Sequence, residues 1–322
     1  MFMQAMTACV GIVQFQMQTG SQPTASHTDG TPMKQPTTQA LKYPLIIEAV
    51  DLISAIDGGD PTLKVLDLRP VNLDAGTHIP GARRIDPTLL NRVSAPHAGL
   101  LPDQAGIDAL VQSADLRVDD HIVAVDAGGV TAAARLVWVL QAWGFNNTSW
   151  LNGGMKAWFA SGGKVVSDAA ASAPVLDGEG PASEPDRPVF QPTRTASNCV
   201  TADELAAELD DPTVRILDVR SAAEFAGTDV RSAEGGHVPG ARHLEWTQQL
   251  EGNGTLKPAD QLRAELERLD VLPEHRVVAY CQSHQRSAVT WLILRSLGYD
   301  DVRGLDGAWS VWGNRAELPK ER

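Results

Sequence analysis

An internal repeat constrains the fold of this chain more than any other feature of the sequence. Four short blocks occur twice in the same order, with the two copies about 150–160 residues apart. The pairs are KVLDLRP (64–70) with RILDVRS (215–221), GTHIPGARRID (76–86) with GGHVPGARHLE (235–245), HIVAVD (121–126) with RVVAYC (276–281), and WGFNNTSWLNGGMKAW (143–158) with LGYDDVRGLDGAWSVW (297–312). Two copies of one domain are the simplest explanation.

The repeat divides the 322 residues into two domains of ordinary size. We expect a dispensable disordered extension over 1–40, a first domain over 41–166, a linker over 167–198 and a second domain over 199–322. The extension and the linker are rich in small and polar residues without a period, and such segments bury too little apolar surface to fold. No standard signal peptide and no membrane span are expected, because a basic start and a run of 18 apolar residues are both missing.

Short apolar runs alternate with helical patterns in each copy. The runs VLDL, IVAV, ILDV and VVAY are typical of strands buried on both faces. The pattern predicts an α/β fold of two tandem domains, each with a mainly parallel sheet covered by helices on both faces. In the second copy, Thr201 followed by Glu204 predicts a capping box at the start of a helix.

The composition indicates which classes of partner and which compartment to expect. There are 27 Lys and Arg against 40 Asp and Glu, a net charge of −13, which argues against nucleic acid as a partner. The three cysteines, Cys9, Cys199 and Cys281, are widely spaced and form no C-x-x-C motif. We therefore expect no disulfide framework, no structural zinc and a reducing, cytoplasmic location. We also expect the protein to be a monomer that uses no metal and no organic cofactor.

Cys281 lies between the strand run VVAY and the polar loop QSHQR, which opens into a helical pattern. In parallel sheets, ligands bind beyond the carboxyl ends of strands. Loop amides at a helix N-terminus favour an anion there, and Arg286 with a protonated His284 would add positive charge. Such surroundings lower the pKa of a thiol and make it a nucleophile. The candidate substrate-binding residues around Cys281 are Gln282, Ser283, His284, Gln285 and Arg286.

A buried structural cysteine is the alternative interpretation, because free cysteine is among the most buried residue types. The repeat argues against it, since the first copy has Asp126 at the equivalent position. A core position would not exchange a thiol for a carboxylate. The exchange is consistent with one active and one inactive copy.

The paired H-x-P-G-A blocks, the D-x-R after a strand, the cysteine loop and the Trp-rich block ends resemble rhodanese domains. The chain from about 42 to 316 is similar to tandem-domain bacterial rhodaneses, which are thiosulfate sulfurtransferases. The resemblance implies that Cys281 carries the sulfur as a persulfide, that Asp126 marks the silent copy, and that Arg135 contacts the substrate anion from the first domain. The implied partners are a small sulfur donor and a thiol or cyanide acceptor.

The loop CQSHQR differs from the C-R-K-G-V-T loop of vertebrate-type thiosulfate sulfurtransferases and from the C-G-S-G-V-T loop of mercaptopyruvate sulfurtransferases. It resembles the C-Q-T-H-H-R loop of a bacterial subgroup. Three alternatives therefore stay open: a mercaptopyruvate-type donor, a rhodanese-fold phosphatase and a non-catalytic sulfur carrier. Phosphatase loops of this fold have five residues between Cys and Arg, whereas residues 282–285 make this loop one residue shorter.

The other repeated residues are expected to be structural. We expect the two histidines to fix turns before Pro-Gly, the two aspartates to anchor neighbouring loops, and the tryptophans to lie in the core; these residues are His78, His237, Asp67, Asp218, Trp158, Trp309 and Trp312. Glu224 is expected either to line the pocket or to form a surface salt bridge.

Removal of residues 1–38 should leave activity and thermal stability unchanged, because the composition of this segment does not favour docking on a folded domain. The melting temperatures and turnover rates of the full and truncated chains are the measurements. A large drop in melting temperature on truncation would show that the segment docks.

Overall fold

The structure is a computed structural model that describes residues 42–70, 76–128, 131–167, 187–195 and 197–322. The expected extension over 1–40 lies outside the described residues, and so does most of the expected linker. Residues 187–195 of that linker are described, and Val189 forms a β-bridge with Arg117 of the first domain.

The first domain is built on a parallel sheet of five strands in the order β1-β8-β7-β2-β4. Its strands are β1 (Ile46–Ile47), β2 (Leu63–Asp67), β3 (Thr77–His78), β4 (Arg83–Arg84), β5 (Arg92–Ser94), β6 (His97–Leu100), β7 (His121–Val125), β8 (Thr148–Leu151) and β9 (Val166–Ser167). Its helices are α1 (Ala49–Asp57), α2 (Gln104–Ala114), α3 (Ala132–Ala142) and α4 (Gly154–Ala160), with a 3₁₀ turn over Pro87–Leu90. The pairs β3–β9 and β5–β6 are antiparallel.

The second domain repeats this topology with a parallel sheet in the order β10-β14-β13-β11-β12. Its strands are β10 (Cys199–Val200), β11 (Val214–Asp218), β12 (Arg242–His243), β13 (Arg276–Tyr280) and β14 (Val302–Leu305). Its helices are α5 (Ala202–Ala207), α6 (Ala222–Phe225), α7 (Ala259–Arg268), α8 (Arg286–Ser296) and α9 (Ala308–Trp312), with a 3₁₀ turn over Trp246–Gln249. The α/β fold with two similar parallel sheets, expected from the repeat, is confirmed.

Several local expectations are confirmed as well. All residues of β7 are buried, as expected for a strand covered on both faces. The capping box of Thr201 and Glu204 is present at the start of α5. Helix α8 begins one residue earlier than the sequence pattern indicates, so Arg286 is its first residue rather than part of the loop. The helix ends before Gly298, whose φ of 89° does not continue a right-handed helix.

One hydrophobic core crosses the boundary between the two domains, and helices α3 and α8 form its centre. Trp138 and Leu140 of α3 belong to the same buried cluster as Trp291 and Leu292 of α8. Both helices are buried along almost their whole length, since each packs on its own sheet and on the other helix. Because α3 and α8 follow Asp126 and Cys281 respectively, this packing places the two equivalent loops on either side of the same interface.

Candidate active site

Cys281 follows the last residue of β13, and its side chain is only 1% exposed. The backbone around it is held by α9, where Trp309 N–H donates to the Cys281 carbonyl at 3.0 Å and Ser310 N–H donates to the Gln282 carbonyl at 2.8 Å. The sulfur therefore sits at the carboxyl end of a central strand, directly before the N-terminus of α8. Sequence analysis predicts this strand-loop-helix arrangement, and the structure has it.

The thiol of Cys281 is surrounded by groups that favour its ionised form. Burial alone would raise its pKa, but the charge of Arg286, the Ser287 hydroxyl and the backbone N–H groups of Ser287 and Ser283 outweigh burial and lower the pKa. The donors come from the loop and from the first turn of α8, where backbone N–H groups lack helical partners. A thiolate at this position is a competent nucleophile.

Arg286 is fixed beside the sulfur by Glu224, which caps α6. Its Nη1 and Nη2 donate to Oε2 and Oε1 of Glu224 at 2.7 and 2.8 Å. Burial alone would raise the pKa of Glu224, which is 1% exposed, but Arg286 and the Ser221 donors lower it to about 2. Both charges are therefore present at neutral pH. The alternative of a surface salt bridge for Glu224 is wrong, because the carboxylate is enclosed.

Three half-buried side chains form the outer part of the loop. Gln282 Nε2 donates to Ser232 Oγ at 3.1 Å, within the second domain. Gln285 Nε2 donates to Asn91 Oδ1 at 2.7 Å, across the domain boundary. Ser283 lies so close to Gly99 that a Cβ on that glycine, whose φ is 68°, would come 2.3 Å from the Ser283 carbonyl oxygen. The β5–β6 hairpin of the first domain therefore shapes the outside of the loop.

The structure contradicts the expectation that His284 adds positive charge. Its side chain is fully buried, and burial together with the charge of Arg135 lowers its pKa well below the usual value. The ring points inward, where Nδ1 lies 2.7 Å from Ser287 Oγ and Trp138 lies at a centroid distance of 4.3 Å. His284 is therefore a neutral internal support of the loop and does not face an anion above the sulfur.

The position of Arg135 also differs from the expectation that it contacts the substrate anion from the first domain. Its guanidinium is fully buried in α3 and donates to the carbonyls of Gly99 at 2.9 Å, Leu90 at 3.3 Å and His284 at 3.4 Å. These bonds connect the first domain to the backbone of the cysteine loop. Arg135 is enclosed at the domain interface, where it donates to carbonyls that are removed from water and would otherwise lack a donor.

The loop of the first copy surrounds the carboxyl group of Asp126. Asp126 is buried, and its carboxylate accepts hydrogen bonds from Gly128 N–H at 3.0 Å and Ala133 N–H at 3.3 Å. Burial raises its pKa to about 7 against the opposing effect of these two bonds. Met155 N–H donates to the Asp126 carbonyl at 2.8 Å, as Trp309 does to Cys281. The carboxylate thus takes the place that the sulfur has in the second copy.

Cys199, the other described cysteine, has the opposite electrostatic environment. It is buried in β10, and burial with the nearby Asp306 raises its pKa to about 12, although Arg194 lies 3.5 Å from its sulfur. This thiol stays protonated at neutral pH. Of the two cysteines that the structure describes, only Cys281 is placed as a nucleophile.

Several residues expected to be structural have that role. Asp218 pairs with Arg220, which also donates to the Gly236 carbonyl at 2.7 Å and so anchors the following loop. His237 Nδ1 donates to the Phe225 carbonyl at 2.9 Å, and its ring stacks on Phe225. The tryptophans expected in the core, Trp158, Trp309 and Trp312, are buried.

Neither a metal centre nor a membrane-spanning helix occurs among the described residues. No group of three or more His, Cys, Asp or Glu side chains in that part of the chain is arranged to hold a metal ion. No helix within the same residues is long and apolar enough to cross a membrane.

Comparison with known proteins agrees with this geometry. A sequence profile of the Rhodanese-like domain matches residues 48–161 and 201–315, one match for each sheet. The chain belongs to the rhodanese family. The thiosulfate sulfurtransferase of Pseudomonas aeruginosa is 36% identical over 86% of this chain and 97% of its own length. The thiosulfate sulfurtransferase of Azotobacter vinelandii is 34% identical over the same shares.

A solved structure supports the same assignment. SseA from Escherichia coli, described as a 3-mercaptopyruvate sulfotransferase, superimposes with a TM-score of 0.69 and 26% identity over 83% of this chain and 99% of its own. The match spans both rhodanese domains of this protein, so the two-domain arrangement is shared with a protein of known structure.

Sequence reasoning missed three contacts of this rhodanese site. Ser287 donates to the sulfur, Glu224 holds Arg286, and Gly99 lets the β5–β6 hairpin approach the loop. A signal existed for Glu224, because Ser221 and Glu224 have the spacing of a capping box. No sequence pattern indicates the contact of Gly99 with Ser283, since the two residues lie in different domains.

Replacing Arg135 with Ala should destabilise this rhodanese by roughly 3 kcal/mol, because several buried carbonyls lose their donor. Urea unfolding measures the loss. The control is Arg263→Ala on the exposed face of α7, where we expect a change within about 0.5 kcal/mol. Equal stability of the Arg135 variant and the wild type would show that these bonds do not support the interface.

Alkylation should distinguish the two described cysteines. We expect iodoacetamide to modify Cys281 at neutral pH and to leave Cys199 unmodified, because only Cys281 has a lowered pKa. The alkylation rate should rise with pH as the thiolate forms and level off below the usual titration range of a cysteine. Peptide mass spectrometry across a pH series gives both results, and preferential labelling of Cys199 would contradict the assignment.

Proposed function

We propose that this rhodanese is a thiosulfate sulfurtransferase in which Cys281 carries the transferred sulfur as a persulfide. The observation that carries the proposal is the buried sulfur of Cys281, whose pKa is lowered by Arg286, Ser287 and the loop amides. The names of the relatives from Pseudomonas aeruginosa and Azotobacter vinelandii support thiosulfate as the donor.

The reaction proceeds in two displacements. The Cys281 thiolate attacks the outer sulfur of thiosulfate, a new S–S bond forms, and sulfite leaves with the electrons of the broken S–S bond. A thiophilic acceptor, such as cyanide in an assay or a thiol in the cell, then attacks the outer sulfur and restores the thiolate. Such a scheme predicts ping-pong kinetics.

The groups around the sulfur serve both steps. Arg286 and the N–H groups of Ser283 and Ser287 stabilise the negative charge of the thiolate and then of the persulfide. Gln282 and Gln285 are half-buried on the outside of the loop and are proposed to contact the donor. Arg135 and His284 act through the loop, because both are enclosed behind it.

The remaining alternatives differ in how well the site supports them. A 3-mercaptopyruvate donor is the second candidate, because SseA from Escherichia coli is described as a 3-mercaptopyruvate sulfotransferase. A phosphatase is disfavoured, since the four residues 282–285 make a smaller cradle than the five-residue loops that bind phosphate. A sulfur carrier would keep Cys281 but would not turn over thiosulfate.

We also propose that the protein works as a cytoplasmic monomer. The two described cysteines are free and buried, which suits a reducing compartment. The loop of Cys281 is completed by the first domain of the same chain, through Arg135 and Asn91. A second copy is therefore not needed to assemble the site.

Replacing Cys281 with Ser should reduce sulfur transfer to background while leaving the fold intact, because serine keeps the size of the side chain but forms no persulfide. Thiosulfate, 3-mercaptopyruvate and a phosphate ester are compared as substrates of the wild type in steady-state assays. Mass spectrometry of the wild type after thiosulfate treatment should show one added sulfur on Cys281.

The matched control is Cys199→Ser, which should retain full transfer activity. Sulfur found on Cys199, or transfer by the Cys281 variant, would overturn the assignment. Preferred turnover of the phosphate ester would favour the phosphatase, and a stable persulfide without turnover would favour the carrier.

A further inference from the structure

Glu224 has a position that the mechanism above does not use. It is the last residue of the capping box of α6, where its Oε2 accepts from Ser221 N–H and Ser221 Oγ at 3.1 Å each. The same carboxylate binds Arg286 through both of its oxygens. A capping residue of a short helix is therefore also the fixed partner of the cation beside the nucleophile.

We propose that Glu224 is a positioning residue that clamps Arg286 beside Cys281 and sets the share of the arginine's charge that the sulfur experiences. The bidentate pair fixes the plane of the guanidinium, since two parallel N–H···O bonds leave it little freedom. The buried carboxylate also offsets part of the positive charge. The proposal rests on the proposed function only for its kinetic consequences, because clamping and charge act on the thiol itself.

The other charged groups around the sulfur do not replace this role. Arg135 approaches from α3 but is committed to backbone carbonyls, and His284 is neutral. Arg231, from the loop after α6, lies 3.8 Å from Glu224 but pairs with Asp229 at 2.7 Å. At the end of β11, Arg220 pairs with Asp218 and donates to the Gly236 carbonyl. Among these described groups, Arg286 alone both acts on the Cys281 sulfur through its charge and pairs with Glu224.

The repeat supplies independent support. Counted from the shared aspartates Asp218 and Asp67, the position equivalent to Glu224 is Leu73, and the position equivalent to Arg286, counted from Asp126, is Thr131. The copy without the nucleophile therefore lacks both members of the ion pair. In contrast, the structural pairs Asp218–Arg220 and Asp67–Arg69 occur in both copies. The Glu224–Arg286 pair thus occurs only in the copy that has the nucleophile, whereas the Asp–Arg pairs belong to the shared fold.

The decisive variant is Glu224→Gln, which removes the charge and replaces one of the two oxygens that accept from Arg286 with an NH2 group. The remaining amide oxygen still accepts hydrogen bonds, and Gln is accepted in a capping box. With its charge no longer offset, Arg286 should stabilise the thiolate more strongly. We expect the pKa of Cys281, measured by the pH dependence of its alkylation without substrate, to fall by about one unit. Glu224→Asp, which retains the charge, should restore most of the wild-type value.

The kinetic consequence separates the two half-reactions. The Michaelis constant for thiosulfate should fall about tenfold in Glu224→Gln, because the dianion meets a larger positive charge. Turnover with the acceptor should fall, because the persulfide is held more tightly. A residue that only stabilised the fold would not lower the Michaelis constant and the thiol pKa together.

The matched control is Glu204→Gln, which makes the same change in the capping box of α5, where Thr201 is the partner. This variant should leave the thiol pKa and the kinetics unchanged, and urea unfolding of both variants measures any loss of capping. An unchanged or raised thiol pKa in Glu224→Gln, or an equal shift in Glu204→Gln, would overturn the proposal. If the wild type transfers no sulfur but the thiol pKa still falls in Glu224→Gln, the proposed function fails and the role of Glu224 stands.

Discussion

A thiolate removed from water is the constraint on which the rest of this structure depends. Ionised groups are costly to bury unless charges and hydrogen bonds compensate them. Here the compensation comes from Arg286, from Ser287 and from the N–H groups at the start of α8. These donors converge only because β13 ends at Tyr280 and α8 begins at Arg286, a few residues later. A parallel sheet with a crossover helix exists in many folds. Here the short polar loop between strand and helix makes the cysteine reactive.

The duplicated domain has two different uses within one chain. In the second copy the loop surrounds a sulfur. In the first copy it surrounds the carboxyl group of Asp126, which accepts hydrogen bonds from the N–H groups of Gly128 and Ala133. The first copy still takes part in the site, because Arg135 and the β5–β6 hairpin hold the cysteine loop from outside. The copy without the nucleophile is therefore a scaffold for the other. The common core around α3 and α8 packs the two copies against each other.

The predictions that were wrong share one cause. His284 and Arg135 are basic residues near a candidate anion site. The loop pattern assigns His284 to the anion, and the resemblance to rhodaneses implies the same for Arg135. The structure encloses both, since His284 turns inward at a φ of 54° and Arg135 is covered by the hairpin and by the loop. Whether a basic side chain faces a ligand or a backbone carbonyl depends on contacts between the two domains. No spacing within either copy contains that information.

The sequence by itself determined the duplication, the α/β class and the single loop in which a cysteine replaces an aspartate. These features follow from local patterns: apolar runs predict buried strands, and the repeat predicts two equal sheets. Only the tertiary structure decided which groups set the charge at the sulfur. Glu224 lies 62 residues before Arg286, and Asn91 lies 194 residues before Gln285. Electrostatics acts over distances in space. Packing within the second domain sets the distance between Glu224 and Arg286, and packing of the two domains sets the distance between Asn91 and Gln285.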